Sequence, residues 1–516
     1  MKFGICKGKT NSGRIQEKCI YEADLDQALD VAGIGYYNIK YCLILAFFIV
    51  TSTIEPFGYG FVLPAAKCDL QMNEGQRGII ASIPYIGILA SSFPWGYLID
   101  TWGRKRALVY SSLFAGIFSI ISAFMPNLIT FAVCKLLSSL CISCTAAAPY
   151  TYIAEILPPK YRDVAATVMN PIQIMGSALV PLLAWGILSL DFKLEFGIYV
   201  FRPWRLLCLA YGSFFIIAAI LAYDAPESPK FLMSQNRIEE SLNILKIIYS
   251  KNKKKALNDY PIKTLKREPN RQTDSYGFRS SLKRQSAPLL QPPYIKWIAL
   301  NSFLLFGVYA NLSGLYVWTP DFVNRIILFG GLNGASACDV IVQELPTNSI
   351  NNVTCDDSIN TNTSLISFTA CCLCSIVALP VSISVKVISK KTLISFVLLT
   401  TGVCCVLINF VKNGVLLVIF MQSLVMTTLA IGPIGAYTTD IFPTHLRGMA
   451  MCLVMMVGRT GAIFGSNLVG SLINTGCVAN FYIFGGLLLI CAFFSFCLPN
   501  DKSKEHDKTS IEITKL

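Results

Sequence analysis

Twelve stretches of nearly unbroken apolar sequence constrain this chain more than any other feature. They lie at 41–63, 76–99, 107–125, 128–148, 164–188, 205–222, 295–318, 364–385, 393–411, 414–438, 448–474 and 480–498. Each is near the ~20 residues a helix needs to cross a hydrocarbon core about 30 Å thick. Charged residues make up only 14% of the 516 positions, where a soluble chain carries roughly 25%. A water-exposed surface for this mass cannot be built from so few charges, and disorder, collagen and coiled coil fall with it. The expected fold class is an all-α membrane protein with twelve transmembrane helices.

The formal net charge of +13 would suggest nucleic acid on a soluble chain. Here position explains it. Segments between the spans alternate between 34 Lys+Arg on one side and 7 on the other (Lys67, Arg77, Lys193, Arg202, Arg205, Arg325 and Lys412), while Lys135 and Arg459 lie within spans. The positive-inside rule then puts both termini in the cytoplasm and argues against a nucleic-acid partner. Residues 1–40 are polar and hold no signal peptide, so the first span serves as its own insertion signal.

Of 19 cysteines, 13 fall in spans, where they read as small packing residues, and four face outside: Cys68, Cys338, Cys355 and Cys477. The outside is oxidising. Cys338 and Cys355 share one loop and are the expected pair, although four cysteines leave the pairing open. That loop, 319–363, also carries the glycosylation triplets Asn352-Val353-Thr354 and Asn362-Thr363-Ser364.

The spans divide six and six around the charged stretch 223–294. The expected organisation is a cytoplasmic tail (1–40), a first bundle (41–222), a cytoplasmic loop (223–294) with an amphipathic helix over 230–250, a second bundle (295–498) and a cytoplasmic tail (499–516). The halves repeat. Tyr152-x-x-Glu155-Ile156-Leu157-Pro158-x-x-x-Arg162 recurs 285 residues later as Tyr437-x-x-Asp440-Ile441-Phe442-Pro443-x-x-x-Arg447, and Lys105-Arg106 lands on Lys390-Lys391. Two similar bundles about a shared axis are a secondary-transporter plan, with the solute site near the bilayer midplane.

Gly96-Tyr97-Leu98-Ile99-Asp100-Thr101-Trp102-Gly103-Arg104-Lys105-Arg106 resembles the loop signature of the major facilitator superfamily. Asp224-Ala225-Pro226-Glu227-Ser228-Pro229-Lys230-Phe231-Leu232 resembles a signature of its sugar and organic-ion porters. Gly60-Phe61-Val62-Leu63-Pro64 and Gly314-Leu315-Tyr316-Val317-Trp318-Thr319-Pro320-Asp321, with the glycosylated loop, look like the synaptic vesicle glycoprotein 2 and related-protein family. These resemblances imply the major facilitator fold, two pseudo-symmetric six-helix bundles, and residence in a plasma or secretory-vesicle membrane. They also imply a gating role for Gly96, Asp100, Gly103, Arg104 and Lys105, whose cations would pair with acidic helix ends of the other bundle. Departures are present. Val385 and Ile388 stand where Asp100 and Gly103 would recur, and Lys135, Ser139, Cys141 and Ser143 replace an arginine and three glycines of the fourth helix.

Charges inside a bilayer are costly, about 2.5–3.5 kcal/mol each on insertion scales. Glu55, Lys135 and Arg459 must therefore face a hollow or one another. In the arrangement the resemblance implies, the first, fourth, seventh and tenth helices line that hollow, so Glu55 and Lys135 are expected to share it as coupling or solute residues, with Arg459 adding a second positive charge. The alternative is a plain bridge holding helices together. Tyr59, Tyr309, Asn311, Tyr316 and Trp318 supply apolar area with polar tips. Glu155 with Arg162, and Asp440 with Arg447, are the expected gating pairs. Gly4-x-x-x-Gly8-Lys9-Thr10 is one residue short of a phosphate loop, and two histidines, His445 and His506, leave no hydrolase triad. The expectation is a monomeric, cofactor-free secondary transporter of a small organic ion, carboxylate-bearing or zwitterionic, with protons as candidate coupling ion. The alternative is a membrane glycoprotein of transporter ancestry that acts through partners.

Overall fold

The computed structural model describes residues 22–197, 199–266, 287–292, 294–329, 332, 335–342, 359–384, 389–442 and 446–499. Twelve long helical segments run through it: α1 (Tyr36–Ala66), α2 (Glu74–Trp102), α3 (Arg104–Ser122), α4 (Leu128–Ile156), α5 (Pro159–Ser177 and Leu179–Leu188), α6 (Pro203–Ala222), α7 (Tyr294–Asn311, a π-helical turn Leu312–Tyr316, and Val317–Leu328), α8 (Thr361–Ser384), α9 (Lys390–Leu407), α10 (Gly414–Ser423, a 3-10 segment Leu424–Ala430, and Ile431–Ile441), α11 (Arg447–Leu472) and α12 (Cys477–Ser495).

Eleven of the twelve are long and apolar enough to cross a membrane; α3 is the exception. Its sequence explains this. It starts on Arg104-Lys105-Arg106 and carries Ser111, Ser112, Ser119 and Ser122, all four fully buried. Each hydroxyl has a partner inside the protein, such as Phe215 O for Ser112 at 2.8 Å, so the serines never meet lipid.

Local chemistry sets the helix ends. Asn73 and Gln76 form a reciprocal capping box at the start of α2, at 2.8 and 3.0 Å. Asn127 accepts from Thr130 N at the start of α4. One end of the bundle carries the α1–α2 turn and is called the Glu74 end; the opposite end carries the α2–α3 turn and is called the Arg104 end.

The first six helices pack into one half, with α1 against α4, α5 and α6, and α3 against α4 and α6. In the second half α7 packs on α11 and α12, and α9 on α12. The halves meet along three lines: α2 on α11, α5 on α8, and α1 on α7. At the Arg104 end a small cap forms. Glu22–Ala23 pairs in parallel with Thr264–Leu265, and helix Leu25–Ala32 packs on helix Ile238–Lys253. The Asn252 amide fastens this cap to the first half by donating to Gly33 O and accepting from Tyr37 N. Tyr260 closes it, its hydroxyl donating to Ala28 O at 2.8 Å, and burial pushes that phenol above its ordinary range.

The structure pairs Cys338 with Cys477, not with Cys355. Cys338 sits on the short helix Ala337–Val342, which packs against α12 at the residue where α12 begins. Sharing a loop with Cys355 therefore counts for less than where the fold returns the chain. Cys68 is also disulfide-bonded. Cys355 and Asn352 lie outside the described residues, while Asn362 is exposed in the first turn of α8.

Candidate functional site

The first layer of the site is a lock at the Glu74 end. Arg77 donates to Glu74 at 2.7 Å and to Asp321 of α7 at 3.1 Å. Arg325 donates to Glu74 at 3.1 Å and to Asp321 at 3.3 Å, and Lys67 reaches Glu74 at 2.8 Å. The Arg77 guanidinium also lies 4.4 Å from the Trp318 ring centroid. Five charges from α1, α2 and α7 thus close this end across the seam. Among ion pairs between described residues, every one that crosses the seam is here. Backbones approach closely at the same end. A Cβ on Gly60 would sit 2.7 Å from Val317 O, and one on Gly78 would sit 2.7 Å from Ser466 O. Sequence reading had counted Lys67, Arg77 and Arg325 only as loop charges; the spacings Glu74–Arg77 and Asp321–Arg325 were the available signal.

Below the lock is a small cavity of about 20 Å³, room for a water molecule, lined by Phe57, Phe61, Val180, Tyr316, Ser367 and Gln422, among others. Three of its walls sit where helices break. Val180 follows the interruption of α5, Tyr316 ends the π-helical turn of α7, and Gln422 precedes the 3-10 segment of α10. Broken helices expose backbone polarity only where a cavity can use it.

Glu55 and Lys135 do not line this cavity. They pair with each other at 2.6 Å, each 2% exposed, and share the Ser119 hydroxyl of α3 at 3.2 and 3.3 Å. The reason is helical geometry. Phe57 and Phe61 share one face of α1, and Glu55 and Tyr59, two residues out of phase, point about 160° away from it. Tyr59 is buried beneath Lys135, whose ammonium lies 5.7 Å from its ring. The expected common hollow for Glu55, Lys135 and Arg459 is therefore corrected: the first two neutralise each other inside the first half.

Arg459 stands apart, at the middle of α11. It donates across the seam to Ser92 of α2 at 2.8 Å. Tyr309 packs beside it, against Gly458. Of the other candidates, Tyr316 lines the cavity and lies 3.3 Å from Cys371 Sγ, Asn311 is tied to Thr427 within the second half at 3.1 Å, and Trp318 belongs to the lock.

The Arg104 end is organised within each half, not between them. Arg104 pairs with Asp100 and Glu155 of its own half, at 3.1 and 3.0 Å. Arg162 reaches Asp26 and donates to Leu157 O, so the expected Glu155–Arg162 pair is not formed. Asp440 takes Lys390, and Arg447 donates to Phe442 O, so the Asp440–Arg447 pair is not formed either. The two halves repeat this arrangement because each arginine is nearer a helix-end carbonyl five residues back than the acid on the preceding helix. Glu227, which sequence reading did not single out, is central. Its carboxylate accepts from the backbone N–H groups of Arg104, Lys105 and Ser228, at 2.9, 3.2 and 2.9 Å, capping α3. Gly103 permits this with φ 102°, and a Cβ there would lie 2.4 Å from Glu227. Lys105 places its ammonium 5.9 Å from the Tyr223 ring. Gly96 is exposed, and a Cβ there would meet nothing within 4 Å. Cys452 and Gly448 of α11 are exposed as well, and no ion pair between described residues crosses the seam at this end.

A family profile described as Major Facilitator Superfamily matches residues 42–337 and 354–513. The chain belongs to this superfamily. Among curated proteins it is similar to human (Homo sapiens) synaptic vesicle glycoprotein 2A, 25% identical over 343 residues that cover 62% of this chain and 46% of that protein. It is likewise similar to synaptic vesicle glycoprotein 2C of Mus musculus, 27% identical over 321 residues, 57% of this chain and 44% of that one. The chain thus matches less than half the length of these relatives. Among solved structures, the xylose transporter XylE from E. coli in a partially occluded inward-open conformation superposes with a TM-score of 0.61 at 14% identity, covering 90% of this chain and all of that one. A D-xylose-proton symporter superposes with the same score at 13% identity, covering 90% and 99%. At these identities the likeness shows the fold.

Proposed function

We propose that this protein is a secondary active transporter that moves a small organic ion, carboxylate-bearing or zwitterionic, by alternating access, with the Glu55–Lys135 pair coupling the movement to protons. The observation that carries the reading is the asymmetry of the seam: a buried charge lock spans it at the Glu74 end, while at the Arg104 end the ion pairs between described residues stay within each half. With both termini cytoplasmic, as the basic residues favour, the lock closes the outer face, which supports reading this as a state facing the cytoplasm. The likeness to proteins named as a xylose transporter and a proton symporter supports transport as the activity, and the likeness to synaptic vesicle glycoproteins supports a secretory-vesicle or plasma membrane as its place. Glu55 is the candidate proton carrier because it is the one carboxylate on α1 paired inside the membrane, and protonating it would free Lys135.

The test is uptake into proteoliposomes by the full chain, screened over organic anions and zwitterions with and without a pH gradient. Accumulation that follows the gradient supports the reading. No uptake of any solute, from protein that is folded and correctly inserted, would move the protein to the second reading, a membrane glycoprotein acting through partners, for which the synaptic vesicle likeness speaks.

A further inference from the structure

We infer that Arg459 is the docking point for the anionic group of the solute, a carboxylate that bridges the two halves of the protein; this rests on the transport reading above. The other charges inside the membrane are accounted for. Glu55 and Lys135 satisfy each other, and the lock at the Glu74 end sets three cations against two carboxylates at one edge of the seam. Arg459 is different. It sits at the thirteenth of the 26 residues of α11, and no carboxylate among the described residues lies within ion-pair distance of it. The titratable groups that face it are the phenols of Tyr85 on α2 and Tyr309 on α7 and the thiol of Cys452, none of which supplies a negative charge at neutral pH.

A guanidinium has five N–H donors in a planar fork that fits a carboxylate with two parallel hydrogen bonds. Among the described residues Arg459 finds one hydrogen-bond acceptor, the neutral hydroxyl of Ser92 on the opposite half. A carboxylate arriving from the Arg104 end, where Cys452 on the same face of α11 is exposed, would take the rest of the fork. Hydroxyls stand nearby to serve it. Tyr309 packs against Gly458 beside the arginine, and Tyr85 of α2 faces it from the opposite half. The anion would thus be gripped by α2, α7 and α11 together, elements of both halves. Binding and the movement of the seam would then be linked, because the arginine that holds the solute also holds Ser92 across the seam.

Cys452 supplies the test. It is exposed and lies seven residues before Arg459, on the same face of α11. On the full chain, its modification is timed with an anionic sulfonatoethyl and a cationic trimethylammonioethyl methanethiosulfonate, with Cys452→Ala marking the background. The proposal expects the anionic reagent to be favoured, and the anionic-to-cationic rate ratio to fall several-fold in Arg459→Gln and to persist in Arg459→Lys. It also expects millimolar benzoate, but not the neutral isostere benzamide, to slow the reaction in the wild type and not in Arg459→Gln. The lysine variant keeps the charge and loses the fork, so it decides the question if the glutamine variant does not fold: the rate ratio should hold while benzoate protection weakens. A rate ratio indifferent to Arg459→Gln overturns the proposal. So does a positive field with no protection by benzoate, acetate or sulfate, which would leave Arg459 as a tie to Ser92. An anion site found here without uptake in any liposome assay would instead sink the transport reading and leave the site standing.

Discussion

Arg77 on α2 lies 3.1 Å from Asp321 on α7, an ion pair across the seam with both side chains more than nine-tenths hidden from solvent. Removing one partner of such a pair strands the other, at a cost of about 3–5 kcal/mol. Two states that interconvert in function differ by only a few kcal/mol, so losing the pair is enough to favour a state open at the Glu74 end. Asp321 keeps Arg325 at 3.3 Å, so the fold should survive Arg77→Gln. The expected outcome is a longer distance between spin labels at exposed Gln71 and Leu328 in Arg77→Gln, restored toward wild type in the swap Arg77→Asp with Asp321→Arg. Identical distance distributions in wild type and Arg77→Gln would dismiss the lock.

Lys135 and Glu55 make a different prediction because they are sealed inside one half. Lys135→Met leaves Glu55 buried with only the Ser119 hydroxyl, and should lower stability by about 3–5 kcal/mol. The double variant Glu55→Gln with Lys135→Met removes both charges and should recover most of that loss. Glu55→Gln alone keeps an amide oxygen as acceptor for Lys135, so it should cost less stability than Lys135→Met, and it should lose gradient-driven uptake while keeping exchange of solute. Thermal unfolding in detergent checks the first pair of claims. Uptake with and without a pH gradient checks the last; gradient-driven accumulation by Glu55→Gln would remove Glu55 from the coupling role.

Gly103 is predicted to tolerate nothing larger. Its φ of 102° and ψ of 157° fall in a region that is essentially restricted to glycine and costs other residues about 1–3 kcal/mol. The Glu227 carboxylate also occupies the space of its missing side chain. Gly103→Ala should therefore displace Glu227 and uncap α3. Glu227→Gln removes the charge but keeps an acceptor for the Arg104 and Lys105 N–H groups, so it should be milder. Melting temperatures in the order wild type, Glu227→Gln, Gly103→Ala are expected. Equal loss in the two variants would mean that the Glu227 cap, and not strain at Gly103, governs this turn.

How much of this was legible beforehand depended on whether the signal was carried by the chain's local sequence. Twelve apolar runs and the 285-residue repeat carried the fold, because crossing a membrane demands length and apolarity that can be read one segment at a time. The direction in which a buried charge points could not be read the same way. Glu55 and Phe57 are neighbours in sequence and opposite on the helix, and only the packing of α3 shows which of them meets the hollow. The lock was missed because its members are split between residues 67–77 and 321–325, and a buried network looks like loop charge until the turns are brought together. Gly103 belongs to a loop signature legible in the sequence, but its partner Glu227 is 124 positions away.

The disulfide gives the last prediction. Cys338 and Cys477 are 139 residues apart, and their bond ties the short helix Ala337–Val342 to the start of α12. Cross-links that close long loops commonly contribute about 2–4 kcal/mol. Both cysteines lie near the Glu74 end but within the second half, so the bond braces that half without crossing the seam. Cys338→Ser, or Cys477→Ser, should therefore lower the melting temperature while leaving the spin-label distance across the Glu74 end unchanged. Peptide mapping of the unreduced protein should recover a linked pair of fragments containing residues 338 and 477, and should still do so in Cys355→Ser. A fragment joining 338 to 355 would restore the pairing their shared loop suggests, and would detach the Ala337–Val342 helix from α12.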